Sequence, residues 1–144
     1  MKKGGIKYIL IDFGGTFFTH GTPIAMNKFA DILGISERKA GSVLRGSPGN
    51  LALAYRLGKV NAKTFWDGAK KELGIDSRMA KRLEYIWHSS FEPNKGMVAL
   101  VKRLRKKSKV FVISGNTPDR VKYLNKKYSL NKLFDGFFSL LITA

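Results

Sequence analysis

Tyr8-Ile9-Leu10-Ile11-Asp12-Phe13-Gly14-Gly15-Thr16 is the stretch on which the reading of this chain turns. Residues 6–12 are a short apolar run with β-branched and aromatic members, closed by glycines, the pattern of a buried parallel strand. The run ends in a carboxylate, Asp12. In open α/β folds, ligands sit at the carboxyl edge of the sheet. Gly14-Gly15 lets the backbone approach an anion closely, and Thr16 adds a hydroxyl donor. A carboxylate placed there is a competent nucleophile toward phosphorus or an activated carbon. An Asp and two glycines closing an ordinary tight turn would leave the same residues.

Two further runs resemble the first. Lys109-Val110-Phe111-Val112-Ile113-Ser114 is closed by Gly115-Asn116, and residues 136–142 form a third run near the end of the chain. Ser114 ends the second strand. In a sheet with adjacent parallel strands, its hydroxyl and the amides of Gly115 and Asn116 would share an edge with Asp12 and suit a phosphate oxygen. A loop serine beside a capped helix is the plainer alternative. Thr117 and Pro118 then open a helix carrying Val121, Leu124 and Tyr128 at helical spacing. Met97, Val98, Leu100, Val101 and Leu104 form another apolar stripe, ending in the cations Arg105, Lys106 and Lys107, which suit a helix C-terminus. Strand, helix, strand, helix, strand implies right-handed crossovers and a parallel sheet.

The stretch from about Pro23 to Glu92 contains no good strand. Helices are expected over 26–33, 37–44, 51–57, 62–73 and 77–91, with Ser36, Asn61 and Asp76 as N-caps and Gly34, Gly58 and Gly74 as stops. Trp66 and Trp87 are expected to pack within it. The organisation read from the chain is therefore an α/β, Rossmann-like core made of residues 1–20 and 93–144, with a helical subdomain, residues 21–92, inserted between its first two strands.

Taken together, Asp12-Phe13-Gly14-Gly15-Thr16 and Val110–Ser114 resemble the first and second motifs of the haloacid dehalogenase superfamily. The inserted helices resemble that family's helical cap. So do Arg56-Leu57-Gly58-Lys59-Val60 with Thr64-Phe65-Trp66, and Leu133-Phe134-Asp135-Gly136-Phe137-Phe138-Ser139 resembles the family's segment after the second motif. The resemblance implies a hydrolase of phosphatase type acting on a small phosphorylated metabolite. Asp12 would be the nucleophile. Mg²⁺ would be held by Asp12 and the Gly14 carbonyl, and the phosphate by Gly15, Thr16, Ser114, Gly115 and Asn116. The family pattern has a second Asp where Gly14 stands, and losing that acid and base costs about 10²–10⁴ in rate. Its third motif supplies a lysine and its fourth supplies acidic metal ligands, and neither is found before Ala144. Asp119 and Asp135 do not fall at strand ends in the required order. Losing a preorganised charge partner costs about 10²–10³. The resemblance thus implies a truncated sheet, with an exposed apolar edge along residues 6–12 and a homodimer paired through it. A non-catalytic truncated remnant or a basic polyanion-binding protein, and a hydrolase that attacks a haloacid carbon, remain open beside the phosphatase reading.

Composition narrows the alternatives. The 144 residues are 44% hydrophobic, enough for one sizeable core. The absence of cysteine removes disulfides, thiolate metal sites and cysteine nucleophiles. Lys7 and Asp12 break the N-terminal apolar stretch, which argues against a signal peptide, and no segment is long enough to span a membrane. A cytoplasmic protein is expected. The net charge of +17 invites an anionic partner. The run Lys102 to Lys109, with Lys122, Lys126, Lys127 and Lys132, carries no base-reading motif, so a solvated face is favoured over nucleic-acid binding. His20 and His88 lack zinc-ligand spacing. His20 is expected in a solvated loop that a substrate can reach.

Overall fold

The computed structural model describes residues 4–45 and 47–139. Three strands, β1 (Tyr8–Asp12), β2 (Lys109–Ser114) and β3 (Gly136–Ser139), form one parallel sheet in the order β1-β2-β3. Leu140, Leu141 and Ile142 of the expected third run lie outside the described residues. Between β1 and β2 come α1 (Gly21–Leu33), α2 (Glu37–Leu44), α3 (Leu51–Arg56), α4 (Ala62–Leu73), α5 (Ser77–Ser89) and α6 (Lys95–Leu104). Between β2 and β3 come α7 (Pro118–Tyr128) and the short α8 (Leu130–Leu133).

Local chemistry sets these boundaries. Ser36, Asn61 and Asp76 each accept a hydrogen bond from the backbone N–H three residues on, which satisfies one orphan donor of the helix start. Thr117 does the same for α7, with Pro118 in the first helical position. Gly34 and Gly74 close α1 and α4 in the left-handed conformation. Three helices differ from expectation at their ends, α3 only in stopping at Arg56, one residue early. α1 starts at Gly21, ahead of Pro23, because proline is tolerated in a first turn that needs no N–H. α5 stops at Ser89, which frees Phe91 to turn inward against Gly21, where a Cβ would overlap the Phe91 ring.

The expectation of a buried first strand is corrected. Among the described residues, β1 is an edge strand whose register partners lie on β2. Tyr8 is 67% exposed and Leu10 57% exposed. Both crossovers step the same way across the sheet, and right-handed crossovers then place their helices on a single face. Burial alternates accordingly. Ile11, Val110 and Val112 are buried, whereas Tyr8, Leu10 and Phe138 on the opposite face are exposed. An exposed apolar edge was expected, and the exposure extends across the face as well. Tyr8, Phe111 and Phe138 run along it, with ring centroids 6.4 Å and 5.4 Å apart.

The helical stretch joins the sheet through two adjacent chain crossings. Thr19 N–H donates to the Glu92 carbonyl at 2.9 Å, and Asn94 N–H donates to the Phe17 carbonyl at 2.8 Å. Trp66 and Trp87 are buried there as expected, 6.3 Å apart and edge to face, with Phe65 packed against both. No helix among the described residues is long and apolar enough to cross a membrane.

Candidate active site

Asp12 ends β1 at the carboxyl edge, paired in register with Ile113. Its side chain is exposed to solvent, and its Oδ1 accepts a hydrogen bond from the Phe13 N–H at 2.7 Å. The chain then folds back in a tight loop. Phe17 N–H donates to the Asp12 carbonyl and Phe18 N–H to the Phe13 carbonyl, at 3.3 and 2.9 Å. Phe13, Phe17 and Phe18 are buried and clamp the base of this loop, so Gly14, Gly15 and Thr16 are held at its tip. Gly15 has φ +76°, and a Cβ there would overlap the His20 ring. The position requires glycine on both counts.

Ser114 ends β2 at the same edge, one residue beyond the partner of Asp12. It is buried, and its Oγ accepts from the Asn116 N–H at 3.0 Å. The turns after β1 and β2 meet at Gly14 and Asn116, where a Cβ built on Gly14 would lie 3.8 Å from Asn116 Nδ2. The Asn116 Oδ1 accepts from Arg120 Nη1 at 2.8 Å, which turns the amide N–H₂ toward Gly14. Nothing lies within 4 Å of where a Gly115 side chain would be, so its backbone is open to an approaching group.

An open cleft of ≈ 410 Å³ runs between this edge and the helices, with Gly14, His20, Arg45, Arg56, Asn116 and Arg120 among its walls. Asp12 and Ser114 do not line it. Ser114 instead borders a groove shared with Asn116, Pro118, Val121 and Phe137. The structure therefore gathers Gly14, Asn116 and His20 at the cleft, while Asp12 and Thr16 are exposed and outside its lining. His20 is exposed, in keeping with the solvated-loop expectation.

No group of three or more His, Asp or Glu side chains suited to a metal occurs among the described residues. Asp119 and Asp135 are spent elsewhere. Asp119 accepts from the Tyr55 hydroxyl at 3.0 Å, tying α7 to α3. Asp135 accepts from the Val110 N–H at 2.8 Å and from Arg105 at 2.9 Å, at the opposite end of β2. Those donors hold the Asp135 carboxyl below its usual range, Arg105 contributing most. The basic side chains of the 102–109 run, with Lys122, Lys126, Lys127 and Lys132, are exposed.

Arg120 is the site residue that the sequence reading missed. It is 2% exposed, and its guanidinium carbon lies 4.4 Å from the Trp87 ring centre and 4.5 Å from that of Phe91. Burial pushes its pKa down to about 9, so it remains a cation at neutral pH. One signal was available. Arg120 falls in the first turn of α7, where the helix dipole disfavours a cation. His88 packs nearby, its ring 5.6 Å from that of Tyr123. Its pKa is lowered to about 4, by burial first and then by the Arg120 charge, with Asp119 opposing, so it is neutral at pH 7.

The fold recurs in solved structures. The chain has the haloacid dehalogenase-like fold. HAD family enzyme BT-2542 from Bacteroides thetaiotaomicron, in complex with magnesium and inorganic phosphate, superposes with a TM-score of 0.70 at 21% identity, over 93% of this chain and 68% of that one. L-2-haloacid dehalogenase from Xanthobacter autotrophicus, with chloropropionic acid covalently bound, superposes with a TM-score of 0.62 at 17% identity, over 94% of this chain and 57% of that one. No family model matches the chain, and no curated protein matches it in sequence.

Proposed function

We propose that this chain is a hydrolase of phosphatase type, with Asp12 attacking the phosphorus of a small phosphorylated metabolite. The observation that carries the reading is the position of Asp12, a carboxylate at the carboxyl end of a parallel strand, followed by a glycine turn that faces Asn116. A new bond forms between an Asp12 oxygen and phosphorus while the bond to the leaving alcohol breaks. Water then cleaves the aspartyl phosphate and restores the carboxylate. Gly15, Thr16, Ser114, Gly115 and Asn116 present backbone and side-chain donors to the phosphoryl oxygens.

The donors at the end of β1 are hard oxygens, the Asp12 carboxylate and the Gly14 carbonyl, and they fit Mg²⁺, which binds through one or two carboxylates and substrate phosphate. When bound, the ion would neutralise phosphoryl charge. The helices of residues 21–92 act in this reading as a cap over a core of residues 1–20 and 93–144, supported by the paired crossings at Phe17–Thr19 and Glu92–Asn94. A cytoplasmic location accords with a chain that has no cysteine.

Gly14 favours one second reading, attack on a haloacid carbon. Halide leaves as an anion and needs no proton, whereas an alkoxide does. Two variants separate the readings. Asp12→Asn is expected to reduce Mg²⁺-dependent hydrolysis of a generic aryl phosphate to background, and equal rates in the two proteins would remove Asp12 from the nucleophile role. Gly14→Asp has room, since the nearest atoms to its Cβ are at 3.8 and 4.0 Å. It is expected to speed hydrolysis of an alkyl phosphate by about 10²-fold or more, and an aryl phosphate less, because a phenolate leaves without help. Dehalogenation of 2-chloropropionate by the parent protein, with no phosphatase gain in Gly14→Asp, would establish the second reading instead.

A further inference from the structure

Among the described residues, no carboxylate pairs with the buried guanidinium of Arg120. Its Nη1 donates to Asn116, while Nε and Nη2 have no hydrogen-bond partner among those residues. Those two N–H groups lie side by side in the guanidinium plane, with both nitrogens shielded from solvent. Together they form the side-on fork that pairs with both oxygens of a carboxylate. A buried charge without a counter-ion is strongly destabilising. This one also sits in a first helical turn, where the dipole opposes it. Three costs at a single side chain point to a ligand that relieves them.

The surroundings agree on the sign of that ligand. Arg45, Arg56 and His20 line the same cleft, and no carboxylate does. Trp87 and Phe91 hold the guanidinium plane from either side, so its orientation is set before anything binds. Asn116 ties Arg120 to the glycine turn, since one end of its amide accepts from Arg120 and the other faces Gly14. An anion on Arg120 is therefore one amide side chain away from the phosphoryl position.

We propose that Arg120, supported by Arg45 and Arg56, is a specificity subsite for a carboxylate on the substrate, so that the preferred substrate is a short phosphate ester of a carboxylic acid. This rests on the phosphatase reading for the phosphoryl half only. The carboxylate half stands on the buried fork and the cationic cleft.

The test uses non-hydrolysable probes, so it does not depend on turnover. 3-Phosphonopropionate and n-propylphosphonate differ by a carboxylate in place of a methyl group. Calorimetry with the parent protein and Mg²⁺ is expected to show tighter binding of 3-phosphonopropionate, by on the order of 10-fold or more for a charge-assisted pair. In Arg120→Met, which keeps a side chain between Trp87 and Phe91, the preference is expected to fall to within about 2-fold, the ratio of the two affinities being read because the lost contact to Asn116 acts on both probes alike. Arg120→Lys keeps the charge without the fork and is expected to recover only part of it. The melting temperature of Arg120→Met is expected to equal or exceed that of the parent without ligand, because an uncompensated buried charge has been removed. Equal affinity for the two probes in the parent, or a preference that persists in Arg120→Met, overturns the proposal. Tighter binding of propane-1,3-bisphosphonate than of 3-phosphonopropionate overturns the carboxylate assignment in favour of a second phosphate. Asp12→Asn is expected to keep the preference while losing hydrolysis. Failure of the nucleophile reading and failure of this one are thus separate results.

Discussion

The helices between β1 and α6 and the sheet they interrupt solve the burial problem differently. The helices enclose most of their apolar residues, with Ile24, Leu51 and Tyr85 left exposed. Phe29, Val43, Leu44, Phe65, Leu83 and Trp87 are all buried, and most helix starts carry a side-chain cap. The sheet encloses one face and leaves Tyr8, Leu10 and Phe138 exposed on the other. Parallel sheets are ordinarily covered on both faces. The difference lies in topology rather than composition. Both crossovers step from β1 toward β3, so their helices have only one face to cover.

Core truncations are the direct way to break this comparison. Leu83 is fully buried in α5, and Leu83→Ala is expected to lower unfolding free energy by about 2–5 kcal/mol. Leu10→Ala removes the same atoms from the open face, and its cost to the monomer is expected to stay below about 1 kcal/mol. Urea denaturation of both variants, extrapolated to low protein concentration, measures this. A Leu10→Ala loss equal to that of Leu83→Ala under those conditions would mean that the chain itself covers the face.

The helical interior is also expected to show in the pH dependence of stability. His88 is held neutral, with a folded pKa of about 4 against 6.5 for the free side chain. Above pH 6.5 both states are neutral, and the full stability is present. As pH falls from 6.5 toward 4, the unfolded chain takes up a proton that the folded chain refuses, so stability is lost. The loss from this group is about 3 kcal/mol and is complete below the folded pKa. The groups facing the ring are Arg120, Asp119, Tyr123 and Glu84, the last at 4.0 Å. Denaturation across pH 7 to 4 is expected to be flatter for His88→Leu than for the parent by that amount. Parallel curves would show that His88 titrates normally and that water reaches it.

How much of this was legible in sequence differs between the same two regions. Capping signals are local, and Ser36, Asn61, Asp76 and Thr117 mark helix starts that the structure reproduces. The β2 run from Lys109 to Ser114 was legible because an apolar run closed by Gly-Asn has few alternatives. β1 was read as a strand correctly and as buried incorrectly. Its apolar run has the composition of a central strand, and only the strand order among the described residues explains the exposure of Leu10. The meeting of Gly14 with Asn116 followed from parallel pairing of the two strands. Arg120 was not legible as a site residue, because its neighbours Trp87 and Phe91 come from a distant part of the chain. In sequence it is one more cation among many.

The smallest expected stability effect tests the open face most directly. An exposed parallel edge strand with an apolar face invites pairing. We propose that a second copy of this chain covers it, giving a homodimer through β1. Tyr8, Leu10 and Phe138 lie on that face, and Ile6, just before β1, is also exposed. Light scattering at tens of micromolar (roughly) is expected to report a dimer for the parent. Leu10→Lys places a charge in the middle of the patch, as edge strands do when they resist association. It is expected to give a monomer, with unfolding free energy extrapolated to low protein concentration within about 0.5 kcal/mol of the parent. A monodisperse parent monomer would remove the dimer and leave the sheet with one wet apolar face. A Leu10→Lys protein that stays dimeric would move the interface off β1. If the dimer forms and dissociates as stated, the sheet obtains from a neighbour the cover that its one-directional crossovers cannot supply.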